Sequence, residues 1–302
     1  MTKKVRMPAN RRLIAYQGEP GANSHLACLD AYPHDEPLAC HTFEDVFAAV
    51  TSGDADLAMI PIDNTVAGRV ADIHHLMQAS DLFIVGEYFR RIRHHLMVLP
   101  GTSLDDLKLV TSHIHALGQC RRVISDMGLE PIPVADTAGA AAALAQSGDR
   151  STAVIAAKEA ADIYGLDVIR SGIEDADHNT TRFIILAATR DDADPGDTPV
   201  ITSLLFTVRN VPAALFKAMG GFATNGVNMT KLESYVDGSF NVAEFYVDIE
   251  GHPQDRPVRL ALEELGFFTK TLRVLGTYRS APLRRELSAQ HEQMSNTAPD
   301  AP

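Results

Sequence analysis

Between Leu13 and Ala188 short apolar runs alternate with helix-patterned stretches, and this alternation restricts the fold more than any other property of the chain. Leu13 to Tyr16, Leu57 to Ile62, Leu82 to Val85, Leu96 to Leu99, Leu109 to Thr111, Ile132 to Val134, Ala153 to Ala157 and Phe183 to Ala188 read as buried strands. Helical patterns fill the intervals: Asn23 to Tyr32, Phe43 to Ser52 behind a Thr42–Asp45 capping box, Val70 to Ala79, Ala116 to Met127, an alanine-rich run after Asp136-Thr137 to Gln146, and a stretch through Ala161. Such a chain is expected to be α/β, with parallel sheets covered by helices. Two sets of strands before residue 190 suggest two lobes with a cleft between them.

The pattern changes at residues 190–199, RDDADPGDTP, whose four Asp, two Pro and one Gly read as a linker. Beyond it come a strand (Ile201 to Val208), a helix (Pro212 to Thr224), two strands joined around Asp237-Gly238 (Val227 to Tyr235 and Phe240 to Ile249), a helix (Pro257 to Leu265) and a last strand from Thr269. This βαββαβ order is that of a ferredoxin-like unit. From Ala281 the polar, Pro-tipped end is expected to fray.

A net charge of −12 argues against a general binder of nucleic acid or anionic membrane. The basic start, Met1 to Arg12, lacks the apolar run of a secretory signal, and no apolar run reaches membrane-spanning length. Cys28, Cys40 and Cys120 have no CxxC spacing and fit a reducing compartment, so a cytoplasmic location is expected.

Chemistry-bearing residues gather where strands hand over to helices: Gly21-Ala22-Asn23-Ser24, Asp63-Asn64-Thr65, Ser112-His113 and Asp136-Thr137. Helix N-termini there present N–H groups and a positive dipole end, which suit a small polyanion if the junctions converge. Asn179-Thr180-Thr181-Arg182-Phe183 enters the last strand of the set; on a strand Thr181 and Phe183 face one way and Arg182 the other. An Arg there can fork onto a carboxylate, with a neighbouring hydroxyl as hydrogen-bond donor. No GxGxxG, Walker A, GxSxG or HExxH pattern is present, and the histidine pairs lack metal-ligand spacing.

Taken in order, Tyr16-Gln17-Gly18-Glu19-Pro20-Gly21 with Ser24, Ile60-Pro61-Ile62-Asp63-Asn64-Thr65 with Gly68, Ser112-His113 through Gln119-Cys120, Thr137, Tyr164-Gly165-Leu166 and Asn179 with Thr181-Arg182-Phe183 form one combination. From about Leu13 to Arg279 the chain resembles a prephenate dehydratase with a C-terminal ACT regulatory domain. The resemblance implies a catalytic domain over 11–189 with two lobes like type 2 periplasmic binding proteins, a linker over 190–199, an ACT domain over 200–280 and a flexible tail over 281–302. It implies decarboxylative dehydration of prephenate to phenylpyruvate without cofactor or metal, in a homodimer or homotetramer. Thr181 and Arg182 are the expected catalytic pair, with Arg182 on a substrate carboxylate. Ser24, Asn64, Thr65, Ser112, Thr137, Asn179 and Phe183 are expected to bind substrate, and Ala214, Leu215, Asn228, Glu233 and Ser234 a phenylalanine effector.

The chain departs from the family pattern at Asp63, where Glu is usual, and at Ile114-His115, where Pro-Gln is usual. In the regulatory region Gly-Ala-Leu becomes Ala213-Ala214-Leu215, and Glu-Ser-Arg-Pro becomes Glu233-Ser234-Tyr235-Val236. The alternatives are arogenate dehydratase and a non-catalytic small-anion sensor.

Overall fold

The computed structural model describes residues 11–69, 73–197, 199–209, 211–236, 243–284 and 286. The turn expected at Asp237-Gly238, the helix start expected at Val70 and the chain from residue 287 lie outside them. The chain divides into two units, residues 1–71 with 90–183, and residues 72–89 with 184–302.

The first sheet has strands β1 (Leu13–Gln17), β2 (Glu36–Cys40), β3 (Leu57–Asn64), a short β4 (Gly68–Arg69) and β5 (Phe83–Arg91), with helices α1 (Asn23–Ala31), α2 (Phe43–Ser52) and α3 (His74–Ala79) between them. The second sheet follows with β6 (His95–Val98), β7 (Leu109–His113), β8 (Glu130–Val134), β9 (Thr152–Ala156) and β10 (Asp167–Ser171). Its helices are α4 (Ile114–Gln119), α5 (Arg121–Asp126), α6 (Thr137–Ser147) and α7 (Lys158–Tyr164). The chain then returns to the first sheet as β11 (Thr180–Ala187). The strand orders are β2-β1-β3-β11-β5, with β4 on β3, and β10-β6-β9-β7-β8.

Parallel pairing joins β1 to β2 and β3, and β7 to β8 and β9. Both sheets are nevertheless mixed rather than all parallel: β4 runs antiparallel to β3 in the first, and β6 antiparallel to both β9 and β10 in the second. The periodicity of single strands carries no information on direction, so this was not readable from the chain. The helix expected over Ala116 to Met127 is two helices, broken at Cys120 (φ −125°, ψ 29°). The Thr42 capping box forms as expected: Thr42 accepts from the Asp45 amide, and Asp45 accepts from the Thr42 amide.

In the second unit the elements β12 (Val200–Val208), α8 (Ala214–Thr224), β13 (Met229–Val236), β14 (Ala243–Glu250), α9 (Arg256–Phe268) and β15 (Thr269–Arg279) follow the βαββαβ order. They build an antiparallel sheet, β13-β14-β12-β15. Alternate residues Leu204, Phe206, Phe245, Val247 and Ile249 pack with Ala218, Phe222, Ala261 and Leu265 of the two helices. The segment 72–89 meets this unit elsewhere: Arg273 donates to the carbonyls of Met77, Ser80 and Leu82, and Gly276 lies against the Ile84 carbonyl. Two stretches are better held than their composition suggests. In the acidic segment Asp192 accepts from the Thr277 amide and Asp197 binds Arg279, while Glu87 takes Arg284 in a fork and accepts from the Ala281 amide. No helix among the described residues is long and apolar enough to cross a membrane.

Candidate active site

The strand-to-helix junctions converge. A cavity of about 410 Å³ in the first unit is lined from the β1–α1 turn (Gln17, Gly18, Ala22, Asn23, Ser24), the start of α2 (Thr42, Phe43, Glu44) and the end of β3 (Pro61, Asn64, Ala67). Ile92 and His94 before β6, and His113, His115, Ala116 and Gln119 around α4, also line it, as do Ala135, Asp136 and Thr137 at the start of α6. Thr181 and Phe183 of β11 complete it. This size suits a small metabolite.

Local sequence explains the edges. Gly21 (φ +91°) turns the chain into α1, and a Cβ there would meet Ala160 of α7 at 3.2 Å. Ala22 stands at the N-cap of α1 and supplies no side-chain cap, so the first turn offers its N–H groups to a ligand. Asp136 by contrast caps α6 itself, accepting from the Gly139 amide at 2.6 Å. No Lys or Arg is among the cavity-lining residues; burial holds the His94 and His113 imidazoles below their ordinary pKa, so N–H groups at helix N-termini are the donors left for an anion.

The orientation of Thr181 follows from a chain of hydrogen bonds. Asn64 Oδ1 accepts from the amides of Val66 (2.9 Å) and Ala67 (2.8 Å), which fixes which way its carboxamide points. Its Nδ2 therefore donates, to Asn179 Oδ1 at 2.7 Å and to Thr181 Oγ1 at 2.9 Å. Thr181 is an acceptor from Asn64, and its own O–H is left to donate into the cavity it lines. Asn179 in turn donates from Nδ2 to Gln119 Oε1 at 2.9 Å.

The expected site residues divide accordingly. Ser24, Asn64, Thr137, Thr181 and Phe183 line the cavity. Asn179, buried, stands behind Asn64 and Gln119. Thr65 ties the loop before β11, donating to the His178 carbonyl and accepting from the Thr180 amide. Ser112 is fully buried and donates to the Ile155 carbonyl at 2.6 Å, so it joins β7 to β9 and does not line the cavity. Arg182 does not line it either. It is buried, with Nη1 3.6 Å from Asp63 Oδ2, as the alternation with Thr181 and Phe183 requires. The guanidinium expected to hold a substrate carboxylate here lies toward a carboxylate of the protein. Gln119 and Asp136, marked in the sequence only as part of a motif and a junction, line the cavity with His94 and Glu44; none of the four was expected to bind substrate. Among the described residues no cluster of His, Cys, Asp and Glu could hold a metal ion.

The expected effector residues lie in the second unit. Ala214 is buried and Leu215 packs in the core, at the start of α8. Asn228 donates to Glu250 at 3.0 Å, Glu233 binds Lys231 at 2.7 Å and lies 3.4 Å from His74, and Ser234 is exposed on β13.

Fold and site together define an α/β protein with a metabolite-sized cavity where strands of two mixed sheets hand over to helices. Residues 14–191 match the family model of prephenate dehydratase. A bifunctional N-acyl-homoserine lactone acylase/prephenate dehydratase of Komagataeibacter europaeus is 46% identical, over 91% of this chain and 98% of that protein. Arogenate dehydratase/prephenate dehydratase 1 of Arabidopsis thaliana is 38% identical over 88% and 71%. The crystal structure of prephenate dehydratase from Arthrobacter aurescens in complex with L-Phe superposes with a TM-score of 0.82 at 26% identity, covering 94% and 98%. The chain belongs to the prephenate dehydratase family, as the motif series implies, and is an enzyme of that type, a carbon–oxygen lyase of aromatic amino acid biosynthesis.

Proposed function

We propose that the cavity carries the dehydration of prephenate and that Thr181 assists the departing hydroxyl. The ring carboxylate leaves as carbon dioxide, its bonding electrons enter the ring, and the ring C–O bond breaks as the ring becomes aromatic, the departing hydroxide taking up one proton from solvent to leave as water. Substrate supplies the driving force, so the protein's task is orientation, worth up to roughly 7–11 kcal/mol in well-aligned cases, and support for the leaving oxygen. The observation that carries this reading is the Thr181 O–H left free by the Asn64 amide. A Thr hydroxyl is too weak an acid to store a proton, so its part is a hydrogen bond that strengthens as charge develops. Ser24 and Thr137 with the start of α1 fit the carboxylates, and Phe183 with Phe43 fits the ring. Incubation with prephenate, followed by phenylpyruvate absorbance in alkali, tests the reading; no product would overturn it.

The same reading takes 11–189 as a catalytic domain with two lobes of the type 2 periplasmic-binding kind and 190–199 as a linker. Residues 200–280 are then an ACT domain and 281–302 a tail. The βαββαβ order and the L-Phe complex of the Arthrobacter protein support phenylalanine as effector, near Ala214, Leu215, Asn228, Glu233 and Ser234. A cytoplasmic homodimer or homotetramer goes with it.

Arogenate is a second reading, favoured by Glu44 and Asp136 among the lining residues, since two carboxylates suit a substrate that carries an ammonium group. Comparing kcat/KM for the two substrates separates them. The acylase activity named for the Komagataeibacter relative is favoured by an adjoining cavity of about 770 Å³ lined by Val66, Ile114, Leu117, Ile124, Pro131 and Pro133. Hydrolysis of an N-acyl-homoserine lactone by the purified protein decides it.

A further inference from the structure

We propose that His94 is a positioning residue for the dehydration, acting through Gln119. The bonds that orient Thr181 continue beyond Asn179. Asn64 is fixed by two backbone amides, so Asn179 presents Oδ1 to it and turns Nδ2 to Gln119. Gln119 must then present Oε1, and His94 Nε2, 2.8 Å from that same oxygen, must carry the proton that joins them. The tautomer of His94 is thus set from 30 residues away, at Asn64, through three carboxamides.

The other nitrogen agrees with this assignment. His94 Nδ1 is buried and has no hydrogen-bond partner among the described residues, so a second proton there would create a buried N–H with no acceptor. Burial holds the imidazole below its ordinary pKa, which keeps it neutral. With both lone pairs of Oε1 engaged, by His94 and Asn179, Gln119 has only N–H donors left. These lie toward Asn64 Oδ1 (3.5 Å) and the cavity that Gln119 lines. His94 accordingly holds the Gln119 carboxamide with its NH₂ group on the substrate side.

The test is steady-state turnover of prephenate by His94→Leu, His94→Gln, Gln119→Ala and the His94→Leu/Gln119→Ala double variant, with thermal unfolding of each. Loss of one neutral hydrogen bond predicts that His94→Leu lowers kcat/KM about three- to tenfold. His94→Gln, whose amide nitrogen replaces Nε2, should stay within about twofold of the parent, and His94→Leu should add less than about twofold in the Gln119→Ala background. If His94→Leu does not fold, His94→Asn, whose amide stops short of Gln119, takes its place. Unchanged turnover in His94→Leu, a folded His94→Gln as impaired as His94→Leu, or multiplicative losses in the double variant would each overturn the proposal.

Discussion

Asn64 decides the chemistry of Thr181 by the direction of one carboxamide. Asn64→Asp keeps the acceptor for the Val66 and Ala67 amides but replaces the donor to Thr181 by an acceptor. The hydroxyl then turns to the new carboxylate and away from the cavity. The expected result is a kcat lower by about 10²-fold with little change in thermal midpoint, read from turnover and a melting curve. Arg182 makes the opposite prediction. Its guanidinium is buried beside Asp63, so Arg182→Met should destabilise by about 1–3 kcal/mol in urea titration and leave KM within about twofold. A KM raised tenfold or more in a folded variant would restore the substrate clamp. The facing of Thr181 and Phe183 was legible in the chain because strand periodicity alone determines it. The partner of Arg182 was not, because Asp63 lies far away in sequence and meets it only after β3 and β11 pair.

At the scale of elements, the site depends on how strands end. The motifs marked most of the junctions, and the structure gathers them around one cavity. What the sequence hid is what tertiary packing decides: the antiparallel β6, the half-exposed edge strand β2 and the break at Cys120 that sets Gln119 at the end of α4. Two glycine-related positions show the opposite limits of backbone tolerance. Ala213, where the family pattern has Gly, has φ +59° at the N-cap of α8, the left-handed region that costs an L-residue about 1–2 kcal/mol. Ala213→Gly should therefore stabilise by up to about 1 kcal/mol once the greater freedom of unfolded Gly is subtracted, seen as a higher urea midpoint. Gly276 cannot be exchanged the other way, since a Cβ there would lie 1.8 Å from the Ile84 carbonyl oxygen. Gly276→Ala should lose about 3 kcal/mol or more, or fail to accumulate as folded protein.

For the whole molecule, the βαββαβ order was readable because each strand and helix has its own period, and the sheet order β13-β14-β12-β15 fits it. The reach of residues 72–89 into the second unit was not, since Arg273 finds the Met77, Ser80 and Leu82 carbonyls across nearly two hundred residues. Phenylalanine at millimolar concentration should raise the thermal midpoint and change the rate of prephenate turnover. If it does neither, the regulatory reading fails while the catalytic one stands. The catalytic claim rests on the one hydroxyl that Asn64 leaves free. The most direct measurement is kcat for prephenate with Thr181→Val, which keeps the shape of the side chain and removes the donor. The account predicts a fall of about 10²-fold or more in a protein that melts near the parent temperature; turnover close to that of the parent would contradict it.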